Sequence, residues 1–216
     1  MRIKVDSTFH LSNSGILGLS SYDDLMFTSI YCTISLDFTE DLSEEEWCER
    51  EETGGLPDDI QIGHIYAHRF DLDYDPETLF LLGHARSSDL ANFVSFFFLD
   101  EGKKQKSFDY LFYLDDVFIE IPYRGKNYAL QALALFLQGF AWGETVGCFP
   151  EDLRGKNSNL ESQSREKGKF LMRKYWSKLG LDRYSANHNI LWTDEWYMPS
   201  WLRDKVLPNS IDSQFD

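Results

Sequence analysis

The sequence has little of several things, and each shortage closes a class of explanation. It holds three cysteines in 216 residues, Cys32, Cys48 and Cys148. They lie far apart without CxxC spacing, so a disulfide framework is disfavoured and buried thiols are expected. The opening MRIKVDSTFHLSNSG has no apolar run of the length a signal peptide or membrane span needs. The expectation is therefore a soluble, cytoplasmic protein with no membrane partner. Positive charge is scarce too: 21 Lys and Arg stand against 36 Asp and Glu, for a net charge of −15. That balance disfavours direct nucleic-acid binding, whose affinity comes from neutralising phosphates. No Walker loop, zinc-ligand spacing, Ser/His/Asp nucleophile pattern, internal repeat or domain-separating linker is present.

What is there reads as one globular unit. Hydrophobic residues make up 43% and aromatics 16%, enough for one well-buried core, and residues 1–216 are read as a single domain. The charge is segregated. Residues 37–59, DFTEDLSEEEWCEREETGGLPDD, hold eleven acids and one base; residues 153–178 hold eight bases and two acids. Both runs fit solvated faces, and the acidic run is read as an exposed insertion that would suit a cationic partner.

Periodicity outlines the elements. Residues 25–38 are β-branched and aromatic, which predicts a strand. Residues 60–74 alternate Ile62, His64, Tyr66, His68, Phe70 and Leu72 on one face, a second strand. Asp75 and Pro76 form a cap and first helical residue, opening one long helix to about Phe98. FDYLFYLDDVFIEI, residues 108–121, is the strongest strand signal. A helix over 128–141, a short strand over 144–149, a polar loop to about Ser164, a helix over about 165–179 and a hairpin turning at 187–189 follow. If His64 and His68 lie on a strand they are about 13 Å apart, too far for one metal, and structural or partly buried histidines are expected. Phe93 to Phe98 should be core, and the aromatic run 189–201 fits a hairpin packed on the sheet or a dimer contact.

One stretch carries chemistry. EIPYRGKNYALQALALFLQGFA runs from strand to basic bend to apolar helix. Such a turn aims the helix's unpaired amides and its dipole at the strand's C-terminal end, where an anion is favoured. Arg124 and Lys126 add charge there, Gly125 permits close backbone approach, and Ala129 is small.

Residues 113–141, with Arg124-Gly125-Lys126-Asn127-Tyr128-Ala129 at their centre, resemble motif A of the GNAT acyl-CoA N-acyltransferases. FLMRKYWSKLGLDRY resembles that family's second conserved segment, and the resemblance spans about 108–197. It implies an α/β fold with a mixed, mostly antiparallel central sheet flanked by helices and a splayed central strand pair. The implied activity moves an acetyl group from acetyl-CoA, or another acyl-CoA, to an unidentified and possibly cationic amine.

The resemblance also implies roles. The strand backbone around Val117, Ile119 and Ile121 would pair with the pantetheine. Arg124, Gly125, Lys126, Asn127, Tyr128 and Ala129 would hold the pyrophosphate. Asp115 or Asp116 would accept the amine's proton. Strand alternation sends these two acids to opposite faces, so only one is expected to serve. Arg154, Lys156, Arg165 and Lys167 would lie on or near the loop beside the phosphates. Asn127 stands where the family has its central glycine. Trp176, a cofactor-side residue, stands where many members have the tyrosine that protonates the leaving thiolate. Tyr175, the neighbouring candidate for that role, points about 100° away. These departures leave a catalytically degenerate binding module as an alternative, beside an acidic inhibitor of a nucleic-acid-binding protein.

Overall fold

The computed structural model describes residues 2–10, 27–37, 59–100, 109–150 and 162–207. The described part of the chain is α/β: a mixed, mostly antiparallel sheet of seven strands with helices on both faces. The strands are β1 (Arg2–His10), β2 (Phe27–Asp37), β3 (Asp59–Asp71), β4 (Tyr110–Ile119), β5 (Thr145–Cys148), β6 (Arg183–Ser185) and β7 (Ile190–Thr193), in the order β1-β2-β3-β4-β5-β7-β6. Only β4 and β5 run parallel. The helix α3 (Tyr128–Phe140) makes the crossover between them, as a parallel pair requires.

One face is packed by α3, by α5 (Ser200–Val206), and by Met172 and Trp176 of α4 (Ser162–Trp176). Leu130, Leu133, Phe136 and Leu137 of α3 are buried there against Ile65, Leu114, Val117 and Ile119 of the sheet. Each such side chain contributes roughly 1.5–3 kcal/mol of burial. The other face is covered at one end by α1 (Pro76–Arg86) and α2 (Ser88–Ser95), which with a π turn over Phe96–Asp100 bury Phe27, Phe70, Leu111 and Tyr113. The far end of that face is where the polar residues gather.

The expected strands at 25–38, 60–74 and 108–121, the helix at 128–141 and the late hairpin are all present within two or three residues. Three points differ. The long helix to Phe98 is two, because Ser87 takes an extended conformation (φ −158°) and its Oγ caps α2 by accepting from the Leu90 amide. The helix expected over about 165–179 is α4 followed by a 3₁₀ turn, Ser177–Leu179, closed by Gly180 in the left-handed region. The edge strand β1 and the short α5 have no counterpart among the expected elements. The interior of the acidic stretch, with Cys48, and the basic loop with Arg154 and Lys156 lie outside the described residues. Cys32 and Cys148 are buried, as expected. No helix among the described residues is long and apolar enough to cross a membrane.

Candidate functional site

Three features converge at the C-terminal end of β4: a bulge, an open strand edge and a basic bend. The bulge falls at Asp115. In the β3 to β4 register Ala67 faces Leu114 and Tyr66 faces Asp116, which leaves Asp115 as the extra residue. A bulge re-aims side chains, and here it overturns the expectation that the two acids point apart. Both carboxylates lie on the face away from α3, each against a histidine of β3. Asp116 Oδ2 is 3.1 Å from His64 Nε2, and Asp115 Oδ2 is 3.3 Å from His68 Nε2. An ionised carboxylate only accepts, so in each pair the ring nitrogen is the donor.

The two pairs have different surroundings. His68 has 3% of its side chain exposed, against 31% for His64, while Asp115 and Asp116 are alike at 37% and 36%. His68 Nδ1 lies 3.0 Å from the buried Ser29 Oγ. With Nε2–H given to Asp115, the neutral Nδ1 accepts from this hydroxyl; once Nδ1 is protonated, the same hydroxyl accepts from it. His68 can therefore take up a proton without losing either partner. The atoms run Ser–His–Asp as in a hydrolase triad, but Ser29 is 2% exposed, so no substrate carbonyl can reach it as it stands.

His64 sits inside a stack of rings. Tyr31 lies on it at 5.6 Å and 25°, and Phe118 at 5.5 Å and 22°. Beyond Phe118 the Arg124 guanidinium covers that ring at 5.4 Å, with its Nε donating to Ile119 O at 2.7 Å. The stack so links the His64–Asp116 pair to the basic bend. Gly63 lets the backbones of β3 and β4 approach here: a Cβ there would stand 2.0 Å from Phe118 O.

The open edge follows from pairing. β5 meets β4 at four positions, from Leu111 opposite Thr145 to Leu114 opposite Cys148. β4 continues to Ile119 with β3 on one side and, among the described residues, no strand partner on the other. Val117 and Ile119 direct their side chains into the core, and Ile121, in the 3₁₀ turn Ile121–Tyr123, is exposed.

The bend itself is unblocked. Gly125 has φ 83°, and a Cβ added to it would have nothing within 4 Å. Asn127 has φ 61°, a region asparagine tolerates better than most residues. The Asn127 side chain makes no capping hydrogen bond to α3, so it does not occupy the helix's first amides. The Gln131 amide returns to Asn127 O, which leaves the N–H groups of Tyr128, Ala129 and Leu130 as the helix's unpaired donors. Lys126 is exposed, with its ammonium 5.9 Å from the Tyr128 ring.

Tyr175 is half-buried, edge-on to Trp176 at 4.8 Å. Trp176 is buried with the core, and its indole Nε1 finds no acceptor among the described residues. Lys167 is exposed on α4. Among the described residues no group of three or more His, Cys, Asp or Glu side chains could hold a metal. Two surface grooves lie away from this site, one against β1 and α3 and one between α4 and the β6–β7 hairpin.

Sequence reasoning finds Asp115 and Asp116 but sets aside His64 and His68. The usable signal is the His64-Tyr66-His68 alternation facing a pair of adjacent aspartates in the neighbouring strand. The chain matches no protein-family model, no curated protein and no solved structure.

Proposed function

We propose that the protein is an acyl-CoA-dependent N-acyltransferase of the GNAT type, moving an acetyl group to an amine. One observation supports this most: β4 leaves β5 after Leu114 and runs to the basic bend with an unpaired edge. A thioester with a peptide-like pantetheine arm and a diphosphate matches that sequence of features. The arm can add to a free strand edge, and the diphosphate suits left-handed Gly125 and Asn127 followed by unpaired helix amides. The mixed, mostly antiparallel sheet flanked by helices is compatible with such a fold. The open space at Gly125 suits a bound ligand.

When bound, the cofactor supplies an activated acyl group. The chain's residues do the rest. Backbone groups of residues 117–119 align the arm, and the amides of 128–130 with Lys126 and Arg124 neutralise the phosphates. The amine must lose a proton to attack, and the part-exposed Asp115 carboxylate accepts it, while the buried His68, anchored in turn by Ser29, holds that carboxylate in place. General-base assistance of this kind is worth roughly 10²–10⁴ in rate. Tyr175 is the nearest candidate to return a proton to the thiolate. An indole N–H only donates a hydrogen bond, so Trp176 does not fill that role. That substitution favours a second reading, a module that binds the cofactor and does not turn it over.

Calorimetric titration with acetyl-CoA, followed by thiol release over a panel of primary amines, tests both. Micromolar binding with amine-dependent thiol release is expected. Binding without release leaves the second reading, and no binding at millimolar cofactor removes both.

A further inference from the structure

The acceptor's chemical class can be read from the face that carries the histidines. We propose that His64 and Asp116, walled by Tyr31 and Phe118, form a binding site for a primary ammonium group such as a lysine side chain or a polyamine end. The inference rests on the transferase reading for its purpose, though not for its geometry.

Four observations carry it. First, Asp116 has His64 as its one side-chain partner among the described residues. A carboxylate has about four lone-pair sites, so several stay available to a second donor. Second, aromatic rings frame the same spot, with Tyr31 and Phe118 on either side of His64 and Tyr66 between the two pairs along β3. The Phe118 ring is already covered by His64 and Arg124 and one face of Tyr31 by His64, so the rings wall the alkyl chain while the carboxylate takes the ammonium head. Third, the site is reachable: Asp116 and Phe118 are each 36% exposed, whereas the His68 ring beside it is sunk in the sheet. Fourth, the charges are ordered along the face. Arg124 lies over Phe118 at one end and Arg86 over Phe27 at the other. Asp115 and Asp116 stand between them, so an anion is drawn to the ends and a cation to the middle.

Other occupants fit less well. A nucleic-acid base could stack on Tyr31 and Phe118, but its phosphates would meet two carboxylates. A metal has too few ligands here. The two histidine pairs thereby divide the work. His64–Asp116 seats the cation, and Asp115, the adjoining residue of the same bulge, carries the carboxylate that would accept its proton.

The test uses the full chain and n-butylammonium as probe, with n-butanol as its neutral counterpart. Ring proton and carbon signals of His64, assigned through His64→Gln, are followed by NMR against those of His188 on the β6–β7 hairpin. A saturable shift at His64 with the amine and none with the alcohol is expected. The apparent affinity should fall at least tenfold in Asp116→Asn and in Phe118→Leu, each checked for native circular dichroism. Equal response to the alcohol, no response at His64, or undiminished affinity in both folded variants overturns the proposal. Acetyl-CoA binding is measured separately on the same samples. Loss of cofactor binding with the amine shift intact sinks the transferase reading and leaves the ammonium site standing. Cofactor binding without an amine shift does the reverse.

Discussion

The two ends of β4 are built to opposite purposes. At its start the strand is fixed on every side. Glu144 Oε2 accepts from the amides of Asp109 and Tyr110, Thr145 Oγ1 donates to Asp194 O at 2.7 Å, and Gly143 and Glu144 exchange hydrogen bonds with Trp196. Gly147 is packed so closely there that a Cβ would lie 2.9 Å from the Phe93 ring. At its other end β4 keeps β3 and lacks a described strand on the β5 side, the bulge turns two carboxylates outward, and the helix that follows starts with uncapped amides. Stability is concentrated at the first end. Backbone and side-chain groups remain available at the second, as sites that bind ligands require.

Substitutions can break this contrast in either direction. The largest effect on folding is expected at Gly63, which faces the last residue of β4. Gly63→Ala drives a Cβ into the Phe118 carbonyl 2.0 Å away, and that atom belongs to a paired backbone that cannot swing aside. The variant should unfold at least 10 °C earlier, equivalent to roughly 3–5 kcal/mol, and lose the ring stack. A thermal midpoint within about 2 °C of wild type would mean that β3 and β4 approach each other less closely at this point.

Next comes the proton acceptor. Asp115→Asn keeps the shape of its site but gives His68 a weaker acceptor, and His68→Gln removes the ring. Each should lower amine-dependent thiol release by roughly 10²–10⁴ with acetyl-CoA affinity within about twofold. Unchanged turnover in both would take the Ser29–His68–Asp115 chain out of the chemistry.

Gly125 gives a smaller and more local effect. There is space for a methyl group, so Gly125→Ala meets only the left-handed backbone penalty of about 1–2 kcal/mol. Cofactor affinity should drop about tenfold while the thermal midpoint moves by a few degrees. Unaltered affinity would show that the bend does not hold the diphosphate.

The smallest effect lies far from the site, at the N-terminus of α1. Asp75 accepts from the side chain and the amide of Thr78, and these bonds hold its pKa below the ordinary 3.8. A depressed carboxylate contributes stability above its unfolded pKa and loses it as pH falls through the folded one. The midpoint difference between wild type and Asp75→Ala should therefore shrink as pH drops from about 6 into the range below 3.8. The group is fully exposed, so the difference is small at any pH.

Signals were legible in the sequence where they were local in origin. The Asp75-Pro76 cap, the β-branched runs of β2 and β3, and the apolar α3 appear almost where periodicity places them. The basic bend was also legible, since its residues are contiguous. Pairing was not. The bulge at Asp115 arises because β3 and β4 slip by one residue between Tyr66 and Ala67, and nothing in the run YLDDVFI marks that slip. Strict period-two reading puts Asp115 and Asp116 on opposite faces. The role of the histidines is hidden for the same reason, as His64 and His68 gain partners only across strands. Ser87 breaks the long helix through its extended backbone, although Ser followed by Asp89 was a usable capping cue. β1 escapes notice because only Ile3 and Val5 mark its inner face before polar residues take over.

Amide hydrogen exchange at residues 115–119, read residue by residue with and without acetyl-CoA, tests the open edge most directly. In the ligand-free protein, the amides in this run that are not donated to β3 should exchange at least a hundredfold faster than those of residues 111–114. Acetyl-CoA should slow them selectively, together with those of 128–130. Slow exchange along the whole of β4 before any ligand is added, or no change at either set of amides at saturating cofactor, would contradict the account.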